Sequence, residues 1–164
     1  MDTRTAYRIL LLLLFATCSV FAAAVQAAER VAVNTGEARV YFDVSLGEPE
    51  KLALRLGLIE KTRDDLIAAG LTPRIVVGIR GRASNFFTRD EDYALESDLA
   101  VKKNIQAQVV RLKAAGMRLE QCGLAADMQG IARTDFLPQL EVVGNGYVAM
   151  ITYQGQGYAY VPMD

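Results

Sequence analysis

Arg74-Ile75-Val76-Val77-Gly78-Ile79-Arg80-Gly81 is the stretch on which the fold turns. From Ile75 to Ile79 no polar side chain interrupts the run. The alternation of a strand with one wet face is therefore missing, and the segment reads as a strand covered on both sides. Such strands belong to parallel sheets, whose crossover connections are helices.

The flanking sequence agrees. Upstream, Arg39-Val40-Tyr41-Phe42-Asp43-Val44 is short, aromatic and β-branched, as a first strand should be. Pro49 suits the first turn of a following helix, and Glu48 and Glu50 suit its positive end. Leu52, Leu56, Ile59 and Leu66 recur near helical spacing until Gly70 supplies a stop. Downstream, Val101, Ile105, Val109 and Leu112 form one face of a long helix that ends at Gly116, and Met117 to Gln121 reads as a third strand. A short helical piece from about Gly123 to Gly130, a fourth strand at Leu140 to Val143, a short helix around Tyr147 to Tyr153 and a last strand at Tyr158 to Val161 complete the chain. Parallel strands joined by right-handed crossovers, with helices on both faces, are the expected outcome. No internal repeat, low-complexity linker or second domain is visible.

The N-terminus has a different logic. Arg4 and Arg8 precede the apolar run Ile9 to Phe15, and small residues then lead to Val25-Gln26-Ala27-Ala28. That order is the order of a secretory signal peptide, here residues 1–27 with cleavage after Ala27, leaving a domain over residues 28–164. An uncleaved anchor is the alternative, because Ile9 to Val25 nearly reaches spanning length. Thr17, Ser19 and the alanines oppose it. Phe15-Ala16-Thr17 before Cys18 is a poor lipobox. A periplasmic or secreted location follows, with no membrane contact once the leader is removed.

The chain of 164 residues suits one domain, and its 18 basic and 19 acidic residues leave no surplus to draw it onto nucleic acid. With no histidine, Ser-His-Asp and Cys-His catalysis, a histidine proton shuttle and His-ligated metals lie beyond this chain's own side chains. Of its two cysteines, Cys18 leaves with the leader, so Cys122 remains alone and has no partner for an internal disulfide.

Cys122 stands where the third strand ends and a helical turn begins, the sheet edge at which open α/β folds hold their ligands. Amides exposed at a helix start favour negative charge on a sulfur, which suits a nucleophile or an acceptor of transferred sulfur. The competing reading is a small apolar side chain packed in the core. Arg80 and Arg82, in Gly78-Ile79-Arg80-Gly81-Arg82-Ala83-Ser84-Asn85, leave the second strand at the same edge and are candidates for holding an anion. Their alternative is an ordinary turn with solvated or carboxylate-paired arginines. Asp90, Glu91 and Asp92 match no calcium loop and read as a solvated helix entry, so no metal site is assigned. Tyr147, Tyr153, Tyr158 and Tyr160 read as core and interface material.

Taken in order, Phe42-Asp43-Val44 with Gly47-Glu48-Pro49-Glu50-Lys51, Gly78-Ile79-Arg80-Gly81, Arg118-Leu119-Glu120-Gln121-Cys122, Phe136-Leu137-Pro138, Val142-Val143-Gly144-Asn145 and Gly155-Gln156-Gly157-Tyr158-Ala159 resemble the exported single-domain branch of the DsrE/DsrF-like family. The resemblance implies a three-layer α/β fold with a mostly parallel five-stranded sheet, and assembly into homo-oligomers, trimers or hexamers. It also implies a sulfur carrier, transferase-like at most, in which Cys122 matches the persulfide-bearing cysteine. Neither a metal nor an organic cofactor is implied, and the partner would be a sulfur donor or acceptor protein or a small sulfur anion. The other expectation is a non-catalytic oligomeric module that binds a small anion or a protein, with Cys122 merely structural.

Overall fold

The apolar run around Val77 is the central strand of a five-stranded sheet. The computed structural model describes residues 36–164; the segment read as a signal peptide lies outside the described residues. The strands are β1 (Glu37–Val44), β2 (Thr72–Ile79), β3 (Arg118–Cys122), β4 (Glu141–Val143) and β5 (Ala159–Pro162). Their order is β4-β3-β2-β1-β5 and every pairing is parallel. The crossovers carry α1 (Pro49–Ala68), α2 (Leu99–Ala114), α3 (Gly123–Met128) and α4 (Gly146–Gly155).

The two-residue period of the strands divides the sheet into unlike faces. On one, Phe42, Val44, Ile75, Val77, Ile79 and Leu119 meet Leu52, Leu56 and Ile59 of α1 and Ile105, Val109 and Leu112 of α2 in the main apolar core. Gly70 and Gly116 end these helices at positive φ, 82° and 84°, a conformation that glycine alone adopts without a Cβ penalty. The other face is crossed by α4, which runs over β1, β2, β3 and β5 because the chain must travel from one edge of the sheet to the other.

That second face is polar. Asp43 and Glu120 are both buried there, at 3% and 2% exposure, and each pairs in register with Gly78 between them. Asp43 accepts from Arg80 through Nε (2.8 Å) and Nη2 (2.7 Å) and from the Tyr160 hydroxyl (2.7 Å). Glu120 forms an ion pair with Arg118 (2.7 Å) and accepts from the Tyr153 hydroxyl (2.7 Å). Gly78 is there because Tyr41 takes its space: a Cβ on residue 78 would lie 1.8 Å from the Tyr41 hydroxyl oxygen.

One helix face differs from expectation. In α2 it is Lys102 that is buried, at 1% exposure, while Val101 is only half-buried. The apolar stem of a lysine packs as well as a valine when its ammonium finds oxygen. Here Nζ donates to the Thr88 hydroxyl (2.8 Å) and to the Asp90 carbonyl, tying α2 to the segment that follows the 3₁₀ stretch Gly81–Phe87. Burial holds this ammonium below the usual lysine range, against the nearby charges of Asp90, Glu91 and Asp92. Asp90 itself caps a 3₁₀ turn, Glu91–Tyr93, by accepting from the Asp92 amide (3.0 Å). No helix of the described residues is long and apolar enough to cross a membrane.

Candidate functional site

Cys122 is the last residue of β3 and the N-cap of α3. Its side chain alternates onto the polar face, toward the start of α4. The β3–α3 turn and the β4–α4 turn dock on each other, with the Leu124 amide donating to the Gly144 carbonyl (3.1 Å). The sulfur is enclosed between them: the Ala125 amide donates to Sγ at 3.4 Å and the Gly146 amide at 3.2 Å. Gly146 permits that approach, since a Cβ there would lie 2.9 Å from Cys122 Cβ and 3.1 Å from Sγ. Gly123 is tight for a similar reason, its Cβ position falling 2.9 Å from the Val143 carbonyl oxygen.

Cys122 is 2% exposed, yet it lines a cavity of about 510 Å³ at the carboxyl edge of the sheet. Arg80, Arg82, Asn85, Leu124, Ala125, Met128, Gln129 and Tyr147 complete the wall together with Gly81. The three expected site residues, Cys122, Arg80 and Arg82, thus meet in one place. Among the described residues no carboxylate lines the cavity, whereas two guanidiniums do.

The two arginines differ. Arg80 forms the bidentate pair with Asp43, and Nη1 donates to the Tyr147 hydroxyl (3.3 Å) with its guanidinium over the Tyr147 ring, 5.1 Å from the centroid. That fork-to-fork geometry fixes its position and neutralises the buried Asp43. Arg82 has no ion pair or side-chain hydrogen bond among the described residues, and the Asn85 carboxamide is equally free. Arg82 is therefore the uncommitted cation of the site. Gln129 closes the loop side, its amide donating to the Gly81 and Ala125 carbonyls (2.6 and 3.0 Å).

Several of these features escape a linear reading. Tyr147 enters through α4, and the amide of Gly146 reaches Cys122 across 24 residues of chain. A usable signal was the acidic pair Asp43 and Glu120, each next to apolar residues of its strand, set against the tyrosine-rich C-terminus. Tyr153 and Tyr160, read as packing, in fact hydrogen-bond those carboxylates.

The fold and site define an all-parallel α/β domain with a sulfur-bearing side chain at the ligand edge of its sheet. A family model described as the DsrE/DsrF-like family matches residues 39–163, and the chain belongs to that family. Membership indicates a sulfur-related role. An uncharacterised protein of Aquifex aeolicus (strain VF5) is 29% identical over 125 residues, which are 76% of this chain and 55% of the relative. The chain thus spans about half the length of that curated relative. The solved structure of a protein of unknown function from Methanobacterium thermoautotrophicum superposes with a TM-score of 0.62 at 22% identity, over 77% of this chain and 99% of the other, and shares the fold.

Proposed function

We propose that this protein is an exported sulfur carrier of the periplasm or the secreted space, in which Cys122 accepts sulfane sulfur as a persulfide and passes it to another thiol. The observation that carries this reading is a cysteine sulfur held by two backbone amides on a cavity lined, among the described residues, by two guanidiniums and no carboxylate. Those amides stabilise negative charge on the sulfur without any histidine. The Cys122 thiolate attacks the outer sulfur of a donor, a new S–S bond forms at Sγ, and the donor's S–S bond breaks with its electron pair leaving on the donor thiolate. Sulfur is conserved, and no outside oxidant enters. The step calls for neither a metal nor an organic cofactor. Arg82 steadies the charged group in the cavity, while Arg80 shapes the wall through Asp43 and Tyr147.

Assembly as a homo-oligomer, trimer or hexamer, is part of the proposal. Val148, Ile151 and Tyr147 of α4 are 59%, 68% and 50% exposed, and Tyr147 shares the cavity wall with Leu124 and Met128. Large apolar side chains exposed at neighbouring positions of one helix are the kind of surface that association covers. Export rests on the leader read at residues 1–27.

A second reading has its own support. At 2% exposure, against a glycine that leaves no slack, Cys122 also fits a structural role in a module that binds a small anion or protein. Treatment with inorganic polysulfide and, in parallel, with a small organic persulfide, each followed by intact-mass measurement, separates the two. Sulfur carriage predicts added sulfur that a thiol reductant removes and that Cys122→Ser never acquires. A protein that gains no sulfur, or gains it equally in the variant, leaves the binding module standing.

A further inference from the structure

We infer that the sulfur donor is a small organic persulfide bearing a carboxylate, rather than inorganic polysulfide or a protein cysteine. The inference rests on Cys122 as the acceptor and adds the class of molecule the cavity fits. A volume of about 510 Å³ is far larger than a chain of a few sulfur atoms fills, and it lies in the range of small-molecule sites. One part of its wall is hydrocarbon: Leu124, Ala125 and Met128. An inorganic anion would leave that wall wet, whereas the carbon skeleton of an organic thiol covers it. A protein cysteine is disfavoured for a different reason. Cys122 is 2% exposed, so a partner's thiol has to arrive on something narrow enough to enter the cavity.

Charge fixes the remaining group. Arg82 and Asn85 line the cavity, and the side chain of neither has a hydrogen-bond partner among the described residues. A guanidinium beside a carboxamide donor suits a carboxylate, which accepts from both. Gly47, in the turn between β1 and α1, is shaped to hold Arg82 there. A Cβ on Gly47 would lie 2.6 Å from Arg82 Cβ and 3.2 Å from its Cδ, so the arginine stem lies directly on the glycine backbone. The donor's outer sulfur meets Cys122, its carbon skeleton covers Leu124, Ala125 and Met128, and its carboxylate reaches Arg82. The reaction is Cys122-SH with R-S-SH giving Cys122-S-SH and R-SH. One S–S bond forms as another breaks, and the proton leaving Cys122 is balanced by the one taken up by the departing thiolate.

The test compares loading of Cys122 by the persulfides of N-acetylcysteine and of N-acetylcysteine methyl ester, which differ in one charge. Rates are normalised to the reaction of each donor with free cysteine. The acid should load the wild-type protein roughly tenfold faster than the ester, the scale of one charge-assisted contact. Arg82→Gln should bring that ratio close to one. Equal rates for acid and ester in the wild type, or a ratio that survives Arg82→Gln, overturn the inference. Binding of S-methyl-N-acetylcysteine and its methyl ester to Cys122→Ser, followed by NMR shifts of the Arg82 and Asn85 side chains, gives a readout independent of sulfur transfer. Preference for the acid there supports the ligand class even if no donor loads Cys122, and equal binding rejects it.

Discussion

Replacing Gly146 with alanine tests how the sulfur is held. The new methyl carbon would stand 2.9 Å from Cys122 Cβ and 3.1 Å from Sγ, where carbon and sulfur contacts settle nearer about 3.5–4.0 Å. Either the start of α4 or the Cys122 side chain must give way by somewhat less than about 1 Å. Both flanks resist: Asn145 caps α4 by accepting from the Tyr147 amide (2.9 Å), and the Leu124 amide is bonded to Gly144 (3.1 Å). Overpacking of this kind costs about 1–3 kcal/mol. At about 4 °C per kcal/mol for a domain of this size, Tm should fall by about 4–12 °C. The Gly146 amide is also displaced from the sulfur, so sulfur loading at Cys122 should slow more than the loss of folded protein explains. Calorimetry and intact-mass kinetics measure the two effects. A double-mutant cycle with Cys122→Ala should show coupling between the sites, because part of the clash is with Sγ. An unchanged Tm with full loading by Gly146→Ala would refute the close contact on which the site is built.

The loop arginines should separate cleanly. Arg80→Ala strands the buried Asp43 carboxylate with only Tyr160 and should cost about 3 kcal/mol, whereas Arg82→Ala should leave Tm within about 2 °C; thermal melts of both variants check this. Tyr153→Phe removes a donor from Glu120, whose Oε2 already has no hydrogen-bond partner, and should cost about 1–3 kcal/mol by denaturant titration. Burial first, and then the charges of Asp43 and Glu120, hold the Tyr41 phenol above the ordinary tyrosine range; burial and its bond to Glu120 do the same for Tyr153. Above about pH 10 the unfolded chain therefore loses phenolic protons that the native state keeps, so stability should fall as pH rises from there. Tyrosinate absorbance of native against urea-unfolded protein follows it directly. For export, the N-terminus of protein recovered from the periplasm should be Ala28.

Most of the architecture is local and was therefore readable. Ile75 to Ile79 declared a strand covered on both sides, and Pro49, Gly70 and Gly116 marked helix ends within a residue or two of their positions. Cys122 at a strand-to-helix junction needed only its neighbours in the chain. What escaped depends on parallel pairing, which brings together residues far apart in sequence. Arg80 could be read as an anion ligand or as paired to a carboxylate, and nothing nearby in the chain names its actual partner, Asp43, 37 residues away. The register of β1 on β2, with Asp43 opposite Gly78 two positions before Arg80, creates the pair. Lys102 carries a charge that marks no core position in the sequence, yet its stem packs inward and its ammonium is satisfied by Thr88 and Asp90. The tyrosine hydroxyls could not be assigned before it was known that α4 crosses the polar face of the sheet.

Everything chemical here requires that the Cys122 sulfur be reached through the cavity while the protein stays folded. The direct measurement is the rate at which a small neutral thiol reagent, methyl methanethiosulfonate, modifies Cys122 at increasing subdenaturing urea. Reaction through the cavity predicts a rate that is measurable without denaturant, nearly independent of urea, and slowed when Ala125→Trp fills the wall. A rate that climbs with urea as steeply as global unfolding, with no reaction in its absence, would show a sealed structural cysteine and contradict the account.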